Sequence, residues 1–183
     1  MQKTDLSKFD NSWYNPGSTF KRGLWFFVNV CVMQNRMNPF SGLRVFFLKI
    51  FGAKVGSGVV IKPNVHIKYP WKLEIGNNVW VGEKVWIDNL GEVKIGDNVC
   101  LSQGSMLLCG NHNYKKVEFD LMVGDITLEE GVWIGAHSVV CPGVSCKSHS
   151  ILSVNSVAVK TLEVYTIYQG NPAVEVRKRE FID

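Results

Sequence analysis

His112 stands where a regular pattern stops, in surroundings where an imidazole can do acid–base chemistry. Upstream of it, Ile95, Leu101 and Leu107 are large apolar residues six apart, with the small residues Val99 and Ser105 four after the first two. Downstream, the next apolar member of the series is Leu128, so residues 113–126 (NYKKVEFDLMVGDI) must loop out of whatever the repeat builds. Loops held at both ends by a rigid scaffold are where chemistry concentrates. A histidine at the root of such a loop can take a proton near neutral pH, because the ordinary imidazole pKa is about 6.5. Residue type alone leaves two readings open, a general base and an ordinary surface histidine.

The other reactive side chains carry less. His137 and His149 fall on the fourth position of their hexads, where Asn98 and Gly104 also sit, and His, Asn and Gly share a tolerance for left-handed backbone. These histidines are therefore expected at corners, and His66 on an outward position. A three-histidine zinc site shared between subunits is the competing use, but corner placement argues against it and no metal is expected. The five cysteines form no C-x-x-C pair and none sits beside a base, which disfavours a disulfide framework, a zinc ribbon and a thiol nucleophile, and fits a reducing cytoplasm. Trp80, Trp86 and Trp133 all hold the outward sixth position, and exposed indoles in series ask for a partner. Burial against a neighbouring subunit accounts for Trp80 and Trp86. Trp133, the first of them after the loop, is the ligand candidate.

The elements that position these residues follow from the period. Large apolar residues recur at 55, 61, 67, then 75, 81, 87, then 95, 101, 107, with two-residue insertions between the triplets, and resume at 128, 134, 140, 146, 152 and 158. Fifth positions are small (Val65, Val85, Val99, Ser105, Ser138, Ser156), as a narrow prism interior requires. Three short strands and three corners per circuit describe an all-β parallel β-helix of about five coils, for which hexads are a signature. It is expected over residues 53–163, with the loop extruded at 113–126 and a C-terminal tail at 164–183. Residues 1–52 precede it as an irregular arm and a two-helix cap, the helices read at 20–34 and 43–51. Those helices are too short to span a bilayer; covering the β-helix is one role for them, and a peripheral membrane contact is the other. At 183 residues with a formal net charge of +4, one domain is expected and nucleic acid is not required as a partner. The polar first ten residues do not resemble a signal peptide.

With GVWIGAHSVVCPGV (131–144) and the ending YQGNPAVEVRKR (168–179), the hexads and the NH-containing loop resemble the hexapeptide-repeat acyltransferases. The N-terminal helices, KYPWKLEIG (68–76) and WVGEKVWIDNLGEVKIGDNVCLSQGS (80–105) are similar more narrowly to acetyltransferases assigned to colanic acid biosynthesis, over nearly the whole chain. The resemblance implies left-handed coiling, which the period does not, since parallel crossovers are otherwise right-handed in about 98% of cases. It implies acetyl-CoA as co-substrate, a saccharide or sugar-linked acceptor and a homotrimer with sites between adjacent chains. It assigns His112 as the base on the acceptor hydroxyl. Trp133 and Ala136 take the pantetheine channel, Val154, Val159 and Lys160 take contacts further along it, and Arg177 with Lys178 the nucleotide end. Lys84 replaces an acceptor-binding Asn, Val154 and Val159 stand for a small residue and a Thr, and Asn113 stands where an Asp often follows the histidine. Around His112, Asn111, Asn113, Trp86, Asp88 and Glu92 are candidates for holding the acceptor or orienting the imidazole. The function this implies is O-acetylation of a sugar hydroxyl in exopolysaccharide or surface polysaccharide synthesis. N-acylation of an amino sugar, serine O-acetylation and a non-catalytic β-helical scaffold are the alternatives.

Overall fold

The computed structural model describes residues 3–182. Three parallel sheets wrap a triangular prism, and each circuit of the chain adds one short strand to each. The first face stacks Lys54–Val55, Leu73–Ile75, Val93–Ile95, Ile126–Leu128 and Ser145–Cys146. The second stacks Val60–Ile61, Trp80–Val81, Cys100–Leu101, Trp133–Ile134, Ile151–Leu152 and Thr166–Gly170. The third stacks His66–Ile67, Trp86–Asp88, Met106–Leu108, Val139–Val140 and Val157–Ala158. The expected coils are thus present, and a partial sixth follows, where Leu162 bridges Cys146 and Thr166–Gly170 extends the second face. That last strand turns back antiparallel into Ala173–Lys178.

The period explains the packing. First-position side chains such as Ile87, Leu107 and Ile134 point inward and are fully buried, as are the small fifth-position Val85, Ser105 and Ser138. Fully burying one such large side chain contributes roughly 1.5–3 kcal/mol. Fourth positions make the corners: Asn64, Asn78, Asn98 and Asn155 have φ between 54° and 60°, and His137 and His149 have 56° and 59°, as their register predicts. Gly104, at φ 69°, has a second reason to be glycine, since a Cβ there would lie 2.6 Å from the His137 ring one coil above.

The two-residue insertions and the extruded loop all fall on the same prism edge, the third, which joins the third face to the first. Residues 68–72, 89–92 and 109–125 stack there as a widened shelf. Asn89, fully buried, stitches it by accepting from the Tyr69 amide at 2.9 Å and donating to the Tyr69 carbonyl at 2.6 Å.

The first coil has no coil below it, and an open β edge needs cover. Helix α1 (Thr19–Val28), continued as a π turn over Asn29–Met33, and helix α2 (Ser41–Ile50) supply it. Trp25 donates its indole N–H to the Ile67 carbonyl at 2.8 Å, the Ser41 hydroxyl accepts from the Ile61 amide at 2.8 Å, and the fully buried Arg44 donates to the Ile61 carbonyl. Among the described residues no helix is long and apolar enough to cross a membrane.

Candidate active site

Gly110–His112 pairs antiparallel with Leu121–Val123, so the extruded loop is a hairpin whose first strand ends at His112. The His112 amide donates to the Asn111 side chain at 2.8 Å, and the Asn113 amide to the Asp120 carbonyl at 2.8 Å, which fixes the turn. Phe119, at φ 54° in the left-handed region that non-glycine residues rarely occupy, lays its ring flat on the imidazole with centroids 4.5 Å apart and planes 7° apart. Its carbonyl oxygen lies 2.9 Å from His112 Nδ1. A carbonyl can only accept, so Nδ1 carries the proton and Nε2 presents its lone pair.

The N-terminal arm completes the surroundings. Its Asp5 amide donates to the Val117 carbonyl at 2.9 Å, Phe9 lies 5.7 Å from the imidazole, and the Tyr14 hydroxyl donates to the Leu90 carbonyl at 2.7 Å. Arm, shelf and hairpin enclose a cleft of about 340 Å³ lined by Asn11, Tyr14, Arg22, Lys68, Tyr69 and His112 among others. Burial pushes the Tyr14 hydroxyl well above the usual phenol range, so it stays protonated. Asp88 pairs with Lys68 at 2.8 Å and Glu92 is exposed, and neither is hydrogen-bonded to the imidazole. Of the two roles for which these carboxylates are candidates, holding the acceptor or orienting the imidazole, the second is met at Nδ1 by the Phe119 carbonyl. Phe9, Asn11, Tyr14, Arg22 and Phe119 were missed from the sequence. The aromatic content of the arm was the only hint.

Trp133 stands on the second face, next to the second edge, which joins that face to the third, and donates its indole N–H to the Ser102 hydroxyl at 2.9 Å. A groove of about 520 Å³ runs along this edge past Ser102, Gln103, Trp133, Ala136, Ser153 and Val154. A second hollow of about 640 Å³ adjoins it at Trp133 and Ile151 and brings in Arg177, Lys178 and Arg179. Trp133, Ala136, Val154, Arg177 and Lys178 are therefore brought together. Val159 and Lys160 are not: both are exposed and follow the third-face strand Val157–Ala158, which puts them on the third edge, two coils above His112. Lys84 is exposed at a second-edge corner with φ 60°, and Trp86 stands on the third face in register with His66 and Met106. Within one chain, the cleft at His112 and the groove at Trp133 share no lining residue.

A hexad prism with a histidine hairpin extruded at one edge and an aromatic groove along another has the build of the left-handed β-helix acyltransferases. No protein-family model matches the chain. A protein of Escherichia coli K12 that carries the name colanic acid biosynthesis acetyltransferase WcaF is 35% identical over 176 residues, spanning 96% of this chain and 97% of that protein. Galactoside O-acetyltransferase of the same organism is 28% identical over 138 residues, spanning 74% of this chain and 68% of that protein. A hexapeptide-repeat acetyltransferase from Vibrio cholerae, solved with acetyl-CoA, superposes with a TM-score of 0.81 at 19% identity, covering 91% of this chain and 93% of that one. A galactoside acetyltransferase solved with coenzyme A superposes with a TM-score of 0.78 at 24% identity, covering 88% and 82%. The chain belongs to the hexapeptide-repeat acetyltransferases of left-handed β-helix fold. It is an acetyl-CoA-dependent acetyltransferase.

Proposed function

We propose that this enzyme acetylates a hydroxyl group of a saccharide or sugar-linked acceptor, in the synthesis of an exopolysaccharide or surface polysaccharide, with His112 as general base. The observation that carries the proposal is the 2.9 Å contact of His112 Nδ1 with the Phe119 carbonyl, which leaves Nε2 free to accept a proton. The acceptor oxygen attacks the thioester carbonyl carbon while its proton passes to Nε2. The tetrahedral intermediate then expels the CoA thiolate, which takes the proton back. One C–O bond forms, one C–S bond breaks, and no enzyme-bound acyl group is needed. Burial pushes the Cys109 thiol, the nearest in sequence to His112, up to about 11, which makes it a poor nucleophile. The cleft at His112 suits a polyol, since Tyr14 and Tyr69 offer rings and Asn11 and Lys68 offer polar groups. The name borne by the E. coli relative supports a polysaccharide pathway.

The working unit in this reading is a homotrimer with sites between chains. Supporting it, His112 and Lys160 stand on the third edge while Trp133, Ala136 and Val154 stand on or beside the second, so that one chain offers half a site at each. If the solenoids run parallel, the coil that bears His112 meets the coil of Ser102 and Gln103 in its neighbour. Coils are about 4.8 Å apart, so Lys160 lies roughly 10 Å above the base, toward the nucleotide end. Lys84, Asp88 and Glu92 belong to the coil below, on the acceptor side.

An acceptor screen with acetyl-CoA, reading thiol release and product mass, tests the reaction. Sugar hydroxyls are expected to drive release. Release by amino groups alone would assign N-acylation, and tight acetyl-CoA binding without release by any acceptor would favour a binding subunit. Phe119 serves as a positioning residue: Phe119→Ala removes the ring under the imidazole and is expected to lower kcat about tenfold with KM for acetyl-CoA unchanged. Equal changes in both constants would deny it that role.

A further inference from the structure

We propose that the outward face of the two N-terminal helices docks on an anionic membrane surface. Their inward residues, Trp25, Met33, Arg44 and Leu48, are already used in covering the first coil. The opposite face, which a cap has no need to make apolar, carries Phe20, Leu24 and Phe27 at helical spacing on α1, Phe46 and Ile50 on α2, and Met37 in the connection. All are exposed, Phe20 by 76% and Met37 by 89%. A helix apolar on the side that faces water requires a further partner.

Charge identifies the partner. Residues 11–73 hold nine of the 20 lysines and arginines and none of the 16 acidic residues. The remainder of the chain, with 11 basic against 16 acidic residues, is net negative. Arg36 and Lys49 are exposed on the same elements as the apolar side chains. Arg44 is buried and Lys54 and Lys68 are paired with Glu74 and Asp88, whereas Arg36 and Lys49 form no salt bridge among the described residues. Aromatic and aliphatic side chains beside such free cations match the boundary of a bilayer rich in acidic lipids. Ten-residue helices about 15 Å long lie in that boundary and do not cross it. Arg22 of α1 also lines the cleft at His112, so docking sets the mouth of that cleft close to the lipid headgroups.

The test is co-sedimentation of the full chain with sucrose-loaded vesicles, of phosphatidylcholine alone or mixed with phosphatidylglycerol. The chain is expected to favour the mixed vesicles by at least about tenfold and to be released by salt. The double variant Phe27→Asp, Phe46→Asp is expected to lose at least about tenfold in partitioning while keeping its circular dichroism and acetyl-CoA binding. Should that variant fold poorly, Arg36→Glu with Lys49→Glu must weaken binding to the mixed vesicles selectively. Absence of wild-type binding to either vesicle, or unchanged binding by the folded variants, overturns the proposal. So does a wild-type assembly that the Asp variants halve in mass without any lipid binding, which would give this face to a second copy.

Discussion

His112→Ala is expected to lower turnover by at least about 10²-fold while leaving the fold and acetyl-CoA binding nearly intact, as for loss of a positioned general base. That factor corresponds to about 2.7 kcal/mol of transition-state stabilisation. The fold should survive because His112 is only half-buried, on a hairpin outside the solenoid, and adds nothing to the inner ladder of Ile87, Leu107 and Ile134. Acetyl-CoA binding should survive because, in the proposed reading, the acyl-CoA arm lies along the groove at Trp133 and Ala136, whose walls within one chain do not include His112. The pH profile gives an independent reading: an imidazole accepts a proton only when unprotonated, so wild-type activity should fall on the acid side. The variant's residual rate should lack that limb. Turnover near the wild-type value, or an acid limb that persists in the variant, would remove His112 from the chemistry. A large rise in KM for acetyl-CoA with kcat unchanged would make it a binding residue instead.

The hexads made most of the scaffold legible, because a six-residue period with a small fifth and a left-handed fourth position has few other uses. Even His137 and His149 could be set aside as corners on that ground, and both have positive φ. Contacts between segments far apart in the chain were not legible. Nothing in the spacing of Asp5, Phe9 or Tyr14 says that the arm lies over a hairpin about a hundred residues away, and its Tyr14–Leu90 hydrogen bond joins irregular segments. The group orienting His112 was invisible for a related reason: it is a backbone carbonyl, aimed by the φ of Phe119, while a search among side chains stops at Asp88 and Glu92. The separation of Lys160 from Trp133 belongs to a different case. It could have been read by counting hexads in threes, which assigns residues 135–137 and 153–155 to one edge and 159–161 to the next.

That edge assignment decides how a shared site must be tested. Three chains of 20.6 kDa make a trimer of about 62 kDa, which sedimentation can check, but mass alone does not locate the site. Two inactive chains do. One carries His112→Ala. The other carries Ala136→Trp with Trp133→Ala, which fills the groove and removes its indole wall at the second edge. Lys160 is unsuitable as a partner mutation, because it shares the third edge with His112 and both lesions would then fall on the same half of the site. In the proposed trimer, closed threefold symmetry would pair the third edge of each chain with the second edge of one neighbour. In a random equal mixture, a site is intact when an unmutated His112 meets an unmutated groove, and the two independent halves give about a quarter of all sites. Activity is expected to rise from near zero to about that fraction of wild type after the two proteins are unfolded and refolded together, and to stay near zero when they are mixed without subunit exchange. If each chain housed a whole site, every site in the mixture would carry one lesion or the other, and no refolding protocol would restore turnover.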